Sequence, residues 1–283
     1  MFLLYYVIRI KRGGVDVKKQ AIDSLTAAWC EGMGIMPPNC ASPANRELIK
    51  YIDSRLGDRR LDRVFIYNPD AIGKWIFEKY SHLLDGARAV SELELELLSV
   101  MPCVTPVCFG TIYTGAMPSI HGITTYAKPV IKTDSIFDAL LRASKRPAIV
   151  CTEGDSLSRI FLERRMDYFF YPTEDEVKCK AEELIFADEH DLIVVYNGNY
   201  DTVMHKHGPE SEEALAALKA NNDAYCRFVS LIKERWSAHN TLVGFAMDHG
   251  CHAIDGGCGS HGLDMPEDME IVHLYNIFDG KTN

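Results

Sequence analysis

The chain has 283 residues, which is long enough for one large α/β domain or two smaller ones. Its 47% hydrophobic and 25% charged residues are ordinary for a soluble globular protein. The formal net charge of −10 argues against a nucleic-acid polymer as the main partner, because binding a phosphate backbone requires a basic face.

The first segment, residues 1–14, is apolar and then basic. Its apolar part is far shorter than the roughly 20 residues that a membrane span requires. A signal peptide carries its charges before the apolar stretch, and here the order is reversed. We therefore expect no membrane contact and interpret the segment as a short strand or a loosely held arm.

Two helical patterns follow the first segment, at 17–32 and 45–56. A loop with three prolines separates them. We therefore predict that residues 1–60 form an N-terminal extension whose helices pack on the core, with a lid as the other interpretation.

From residue 61 to residue 283 the chain alternates between strand and helix patterns, and we treat this range as one domain. In 91–100, apolar and polar residues alternate with the period of a half-buried strand. The other predicted strands are 62–70, 146–152, 167–172, 191–199, 241–248 and 269–278, and the predicted helices are 73–86, 134–145, 157–165, 174–187 and 211–236. This alternation predicts an α/β fold with a largely parallel central sheet, helices on both faces and no large cap domain.

Nine cysteines are scattered along the chain, and none stands in a CxxC pair. A disulfide framework and a zinc ribbon are therefore both disfavoured. The pattern is typical of reduced thiols, so we expect the protein to be cytoplasmic.

The segment 103–115, CVTPVCFGTIYTG, marks the change from an extended run to a helix. Thr105 is a good N-terminal capping residue, and Pro106 suits the first helical position. At a helix start, backbone N–H groups and the helix dipole also favour an anion such as a phosphoryl group. A capping role and a catalytic role for Thr105 are therefore compatible.

Side chains that are able to bind metal follow four of the predicted strands. Ligands of open, parallel α/β sheets bind outside the carboxyl ends of the strands, so these side chains are expected to converge. They are Asp70, Thr105, Asp201, His205, His207, Asp248, His249 and, a little further on, His261.

Three aspartates gathered in one cleft would repel one another, and burying unpaired carboxylates is costly. Two divalent cations would supply four positive charges, which three carboxylates and a threonine alkoxide would balance. Nitrogen and oxygen ligands in this mixture suit zinc, with manganese or iron as alternatives. The sequence therefore predicts a centre with two divalent metal ions.

Five segments occur in a characteristic order: FIYNPDAIG, TPVCFGTIYTGAMPSIHGI, DTVMHKHGP, DHG and GSHG. Together they resemble the alkaline phosphatase superfamily and, within it, the nucleotide pyrophosphatase/phosphodiesterase branch. The resemblance covers residues 62 to about 275. Its most specific part is a nucleophile ten residues before the glycine of a TG pair, followed by PSIHGI.

The resemblance implies a metal-dependent phosphoric ester hydrolase that acts through a phospho-threonine intermediate on a small phosphorylated substrate. Thr105 would be the nucleophile. One metal would be bound by Thr105, Asp70, Asp248 and His249, and the other by Asp201, His205 and His261. Two metals in such a site clamp the attacking and leaving oxygens of an in-line displacement.

Cys108 departs from the family pattern, because the pyrophosphatase/phosphodiesterase branch usually has an asparagine there that donates to a phosphate oxygen. A thiol is a weaker donor. Cys108 is therefore predicted either as a substrate contact or as a small apolar filler on the helix, and the preference for diesters depends on it. His207 matches no family ligand, His252 has no assigned role, and His121 resembles a structural position, which predicts packing or turn formation.

Several activities of the superfamily are alternatives to a phosphodiesterase. A sulfatase is disfavoured, because sulfatases use a Cys or Ser nucleophile and an arginine four residues later, where this chain has Thr105 and Phe109. The alternatives are a phosphomonoesterase, an enzyme similar to phosphonoacetate hydrolase, a phosphotransferase and a non-catalytic phosphate-binding relative.

Overall fold

The computed structural model describes residues 20–280. Most of its strands form one sheet, and two short ones form a separate hairpin. In chain order the strands are β1 (Arg63–Pro69), β2 (Leu93–Leu98), β3 (Pro147–Thr152), β4 (Asp167–Tyr171), β5 (Leu192–Asn197), β6 (Thr241–Phe245), β7 (His252–Ile254), β8 (Cys258–Ser260) and β9 (Glu270–Phe278).

The seven-stranded sheet has the order β2-β9-β6-β1-β5-β3-β4. The pairs between β6, β1, β5, β3 and β4 are all parallel, and β9 alone runs antiparallel to its neighbours β2 and β6. The predicted fold class, a largely parallel α/β sheet, is confirmed. Because β5, β1 and β6 are neighbours, their carboxyl ends lie side by side at one edge of the sheet.

Helices connect and cover these strands. They are α1 (Leu25–Gly32), α2 (Arg46–Leu56), α3 (Lys74–Lys79), α4 (Asp85–Ala89), α5 (Thr105–Thr114), α6 (Pro118–His121), α7 (Ile136–Arg142), α8 (Ser156–Ile160), α9 (Glu174–Ala187), α10 (Asn199–His207), α11 (Glu212–Arg235) and α12 (Pro266–Met269). None of these helices has the length and apolar character needed to cross a membrane.

Burial along the strands follows their place in the sheet. The central strands β1 and β5 are buried at nearly every position, as expected for parallel strands covered on both faces. In the edge strand β2, Leu95 and Leu97 are buried, whereas Glu94 and Glu96 are exposed. The period-two pattern thus identified a strand with one covered face.

The helices α1 and α2 pack beside the sheet. Trp29 of α1 is fully buried, and its ring centroid lies 6.0 Å from that of Tyr113 on α5. Asn45 caps α2 by accepting hydrogen bonds from the backbone amides of Glu47 and Leu48. The predicted arm at 1–14 lies outside the described residues, and a lid function of residues 20–60 stays a prediction.

Three local features differ from the sequence predictions. The helix predicted at 73–86 is broken into α3, a 3₁₀ turn at Ser81–Leu83 and α4, because Tyr80 leaves the helical region. The helix predicted at 157–165 ends at Ile160. The hairpin β7-β8 was not predicted; its turn contains Gly256 and Gly257, both with positive φ, a conformation that glycine adopts without a steric cost.

Candidate active site

The candidate site lies at the carboxyl ends of β1, β5 and β6. Asp70 directly follows β1, Asp201 lies in the first turn of α10 after β5, and Asp248 and His249 follow β6. Thr105 begins α5, which follows β2. The alternating fold therefore carries side chains that are up to 179 positions apart in sequence to one edge of the sheet.

The first cluster consists of Asp70, Asp248 and His249, all essentially inaccessible to solvent. The His249 Nε2 atom lies 3.4 Å from Asp70 Oδ1 and 3.3 Å from Asp248 Oδ2. Thr105 Oγ1 lies 3.5 Å from His249 Nε2 and donates a hydrogen bond of 3.2 Å to Asp70 Oδ2. The threonine hydroxyl thus borders this cluster directly.

The second cluster consists of Asp201, His205 and His261. Asp201 Oδ1 lies 3.2 Å from His205 Nε2 and 3.3 Å from His261 Nε2. The ring centroids of His261 and His249 are only 4.2 Å apart, so the two clusters are neighbours. The structure therefore brings together all seven side chains that were predicted as metal ligands.

The three imidazoles share one orientation, with Nε2 towards the carboxylates and Nδ1 towards a backbone carbonyl. The Nδ1 contacts are His205 to Gly259 O (3.0 Å), His249 to Gly250 O (2.9 Å) and His261 to Cys103 O (2.8 Å). If Nδ1 carries the proton that each carbonyl accepts, the Nε2 lone pair is left for a metal. Burial lowers the pKa of His249 to about 3, which keeps that ring neutral.

The free carboxylate oxygens test whether these residues fit metal ions. Asp70 Oδ1, Asp201 Oδ1 and Asp248 Oδ2 are buried and have no hydrogen-bond partner. Within residues 20–280 they are three of only five buried side-chain nitrogen or oxygen atoms in that condition. Such orphaned oxygens are costly unless a cation binds them, so the residues present fit divalent metals.

Ionisation of the three aspartates is strongly coupled. Burial and the charge of Asp201 raise the pKa of Asp70, and burial and the charge of Asp70 raise the pKa of Asp248 far above its usual value. Burial also opposes ionisation of Asp201, but the imidazoles of His205 and His261 outweigh it and lower its pKa. A bound cation in each cluster would favour the ionised form of all three carboxylates.

Helix α5 begins one residue earlier than predicted. Val104 occupies the N-cap position, and Thr105 is the first helical residue, so its hydroxyl donates to Asp70 instead of capping the helix. The predicted cap is therefore wrong. Pro106 has no N–H and the Val107 amide donates to Val104 O, so the amide of Thr105 itself is the first-turn donor that remains for a phosphoryl group.

The predicted substrate contact at Cys108 is corrected by the structure. Its side chain is completely buried, and its thiol lies 3.2 Å from Ser99 Oγ and 3.9 Å from Val100 O. Ser99 in turn donates to Asp248 O at 2.7 Å. Cys108 is therefore a packing residue behind the loop that carries Asp248, the second of its two sequence interpretations.

The remaining histidines lie outside the two clusters. His121 packs under α5, where its Nε2 atom lies 3.0 Å from Thr111 Oγ1 and its ring leaves no space for a side chain at Gly110. His207 is exposed at the end of α10. His252 contacts Asp268, with 2.8 Å between Nδ1 and Oδ1.

Sequence reasoning missed Asp268, which connects the loop that carries His249 to the loop that carries His261. This fully buried carboxylate also accepts a hydrogen bond of 2.8 Å from the Leu263 amide, two residues after His261. Its backbone carbonyl accepts a hydrogen bond of 2.8 Å from the Gly250 amide, directly after His249. No motif surrounds Asp268 in the sequence, so only the fold reveals this role.

Sequence reasoning also missed Tyr196, near the end of β5. Its buried hydroxyl donates a short hydrogen bond to Asp70 Oδ2, the oxygen that Thr105 contacts. Burial and the charge of Asp70 raise the pKa of Tyr196 well above its usual value, so the hydroxyl keeps its proton. A tyrosine inside an apolar strand pattern gives no sequence signal for such a contact.

The sequence profile of the type I phosphodiesterase / nucleotide pyrophosphatase family matches residues 152–279. This range is somewhat less than half of the chain and includes Asp201, Asp248 and His261 but not Asp70 or Thr105. No curated protein sequence matches the chain.

Solved structures match at low sequence identity, which shows the fold alone. Murine ectonucleotide pyrophosphatase/phosphodiesterase 5 has a TM-score of 0.56 at 16% identity, over 69% of this chain and 58% of that chain. An inactive threonine-to-alanine variant of the murine protein, in complex with AMP, matches with the same TM-score and identity over 69% and 59%. The present chain thus spans less than two thirds of these relatives.

A second kind of relative covers more of the chain. The C-terminal periplasmic domain of the phosphoethanolamine transferase EptC from Campylobacter jejuni has a TM-score of 0.60 at 11% identity, over 78% of this chain and 80% of that domain. The family profile confirms the predicted resemblance to the nucleotide pyrophosphatase/phosphodiesterase branch over residues 152–279, and the solved structures confirm the fold.

Proposed function

We propose that the protein is a metal-dependent phosphoric ester hydrolase, similar to phosphodiesterases and nucleotide pyrophosphatases, that uses Thr105 as its nucleophile. The observation that carries this proposal is the position of the Thr105 hydroxyl, 3.2 Å from Asp70 and beside two adjacent carboxylate–imidazole clusters. A family profile for phosphodiesterases over 152–279 supports the reaction class.

Asp70, Asp248, His249 and Thr105 would hold one cation, and Asp201, His205 and His261 the other. When bound, these cations would supply Lewis-acid stabilisation of the charge that develops on the oxygens around phosphorus. We propose zinc, because carboxylate and imidazole ligands in small numbers suit it, with manganese or iron as alternatives.

Thr105 would carry the phosphoryl group between two displacements. Its hydroxyl hydrogen points to Asp70 Oδ2, which leaves an oxygen lone pair to attack phosphorus and lets that carboxylate take the proton. The Oγ1–P bond forms as the bond from phosphorus to the leaving oxygen breaks, and the leaving oxygen takes up a proton from water. The proton held by Asp70 returns to Oγ1 when the Oγ1–P bond is later broken. Water then breaks the Oγ1–P bond, which releases the phosphate product and restores the hydroxyl.

A small phosphorylated compound is the proposed substrate class, and a diester or nucleotide is its proposed form. The murine relative was solved with AMP, which supports a nucleotide-like ligand. With Cys108 buried, a phosphate oxygen has no donor at the position where the family usually has asparagine. We therefore expect this enzyme to rely more heavily on its cations than relatives that have the asparagine.

The substrate preference is tested by comparing nitrophenyl monoesters and diesters with purified protein loaded with zinc or with manganese. We expect kcat/KM for bis-p-nitrophenyl phosphate or the thymidine-monophosphate nitrophenyl ester to exceed that for p-nitrophenyl phosphate by about tenfold or more, a difference of about 1.4 kcal/mol. The reverse order would indicate a phosphomonoesterase. Two bound cations without any turnover would indicate a non-catalytic phosphate-binding protein.

A phosphotransferase is the second candidate, because the EptC domain covers a larger share of this chain than the murine relative does. A transferase would pass the phosphoryl group from Thr105 to an alcohol instead of to water. Adding alcohols to the same assay separates the two, since a transferase yields phosphorylated alcohol in place of phosphate.

We also propose a cytoplasmic location. All nine cysteines are free thiols, which supports a reducing compartment. Cell fractionation tests this location. The test is informative because the named relatives are an ectonucleotide pyrophosphatase/phosphodiesterase and a periplasmic domain.

A further inference from the structure

Asp70 uses its two carboxylate oxygens for different purposes. Oδ2 accepts two hydrogen bonds, from the hydroxyls of Tyr196 and Thr105. Oδ1 accepts none, although it is buried, and lies 3.4 Å from His249 Nε2. A partial rotation of this carboxylate about its bond to Cβ would move both oxygens and break both hydroxyl contacts.

Tyr196 is itself held tightly in place. Its ring packs against that of Phe109 of α5 in a T-shaped arrangement, with centroids 5.3 Å apart and an angle of 86° between the planes. The backbone at Gly198 passes close to the Tyr196 hydroxyl. A Cβ atom at position 198 would lie 2.9 Å from the Tyr196 oxygen. With the ring packed and only 5% of the residue exposed, the direction of the hydroxyl is set by the fold.

We propose that Tyr196 is a positioning residue that locks the Asp70 carboxylate, directing Oδ1 to the cation of the first cluster and Oδ2 to the Thr105 hydroxyl. This inference rests on the proposed function of the same site. Tyr196 does not bind the metal or the substrate in this account. It acts through Asp70, as the hydrogen-bond partners of metal ligands commonly do.

Removing the hydroxyl frees Asp70 without emptying the space that the ring fills. In Tyr196→Phe the ring packing on Phe109 is retained, and only one donor to Asp70 is lost. Loss of such an outer partner typically weakens metal binding or activity by about 10- to 100-fold. We expect that range for the cation of the first cluster, with kcat lowered by a similar factor and KM changed little, because substrate contacts remain.

The experiment measures Zn²⁺ affinity by competition with a chelating dye in variants that keep one cluster each. His205→Gln weakens the second cluster and reports on the first, whereas His249→Gln weakens the first and reports on the second. Tyr196→Phe is added to each background. Tyr225→Phe is the matched control, because it removes another fully buried hydroxyl, near Ser91 and away from both clusters.

The proposal predicts that Tyr196→Phe weakens Zn²⁺ binding about 10- to 100-fold in the His205→Gln background and leaves it unchanged in the His249→Gln background. Tyr225→Phe should change neither affinity. Equal affinities with and without the Tyr196 hydroxyl, or equal losses in both backgrounds, would overturn the proposal.

Failure of the proposed function gives a different result. In that case the unaltered chain binds no pair of cations or shows no turnover, whatever residue stands at 196. Melting temperatures of the cation-free variants check the fold, and Tyr196→Phe and Tyr225→Phe should lower them to a similar, small extent, since each loses one buried hydroxyl.

Discussion

Thr105→Ala is expected to lower kcat/KM by at least about a thousand-fold while leaving most of the bound metal in place. The reason is that no other hydroxyl is described within contact of both Asp70 and His249, and a methyl group cannot attack phosphorus. The cations keep their carboxylate and imidazole ligands, so metal content falls little. Steady-state assays on a nitrophenyl diester, together with elemental analysis of the protein, measure both quantities.

Two further variants control for helix damage. Thr105→Ser keeps a hydroxyl and should retain a measurable part of the activity. Thr114→Ala removes a buried hydroxyl from the same helix, which donates to Gly110 O and accepts from the Ala116 amide but contacts no residue of the clusters, and should leave turnover near that of the unaltered protein. Unchanged turnover in Thr105→Ala would disprove the role of Thr105 as nucleophile.

Removal of divalent cations by a chelator is expected to abolish turnover and to lower the melting temperature by several degrees. Each cation present at a hundred times its dissociation constant stabilises the folded chain by about 2.7 kcal/mol, and two sites give on the order of 5 kcal/mol. The loss of stability on chelation is smaller than this sum, because Asp70 and Asp248 take up protons when the cations no longer compensate their charge and their pKa values rise. Calorimetry with chelator and after re-addition of zinc provides the measurement.

A cluster variant shows whether the stabilisation arises at the predicted residues. Asp248→Asn keeps the shape of a buried ligand but removes its charge, so the first cluster should lose most of its affinity. Its melting temperature should respond to the chelator less than that of the unaltered chain. The same response in both proteins would mean that the stabilising cations bind elsewhere.

The sheet and the gathering of the seven side chains were predictable for one physical reason. Strand–helix alternation produces parallel strands, and parallel strands bring their carboxyl ends to one edge. Asp70, Asp201 and Asp248 each follow such a strand, so distance along the chain did not hide their proximity. The alternation in 91–100 likewise predicted a half-buried strand, and the structure places it at the edge of the sheet.

The parts that were not predictable depend on packing rather than on pattern. Cys108 is on the right helix, but which neighbours its thiol meets is decided by Ser99 and Val100 from another segment. Thr105 stands one position inside the helix instead of capping it, a shift too small for propensities to resolve. Tyr196 belongs to an apolar strand pattern, and only its spatial relation to Asp70 gives it significance.

The proposed function requires that the two clusters bind two separate cations. Crystals grown with zinc and measured on both sides of the zinc absorption edge test it directly. We expect two anomalous peaks per chain, one bounded by Asp70, Asp248 and His249 and the other by Asp201, His205 and His261. A single peak, or a site without peaks and with its imidazoles turned away from the carboxylates, would contradict it.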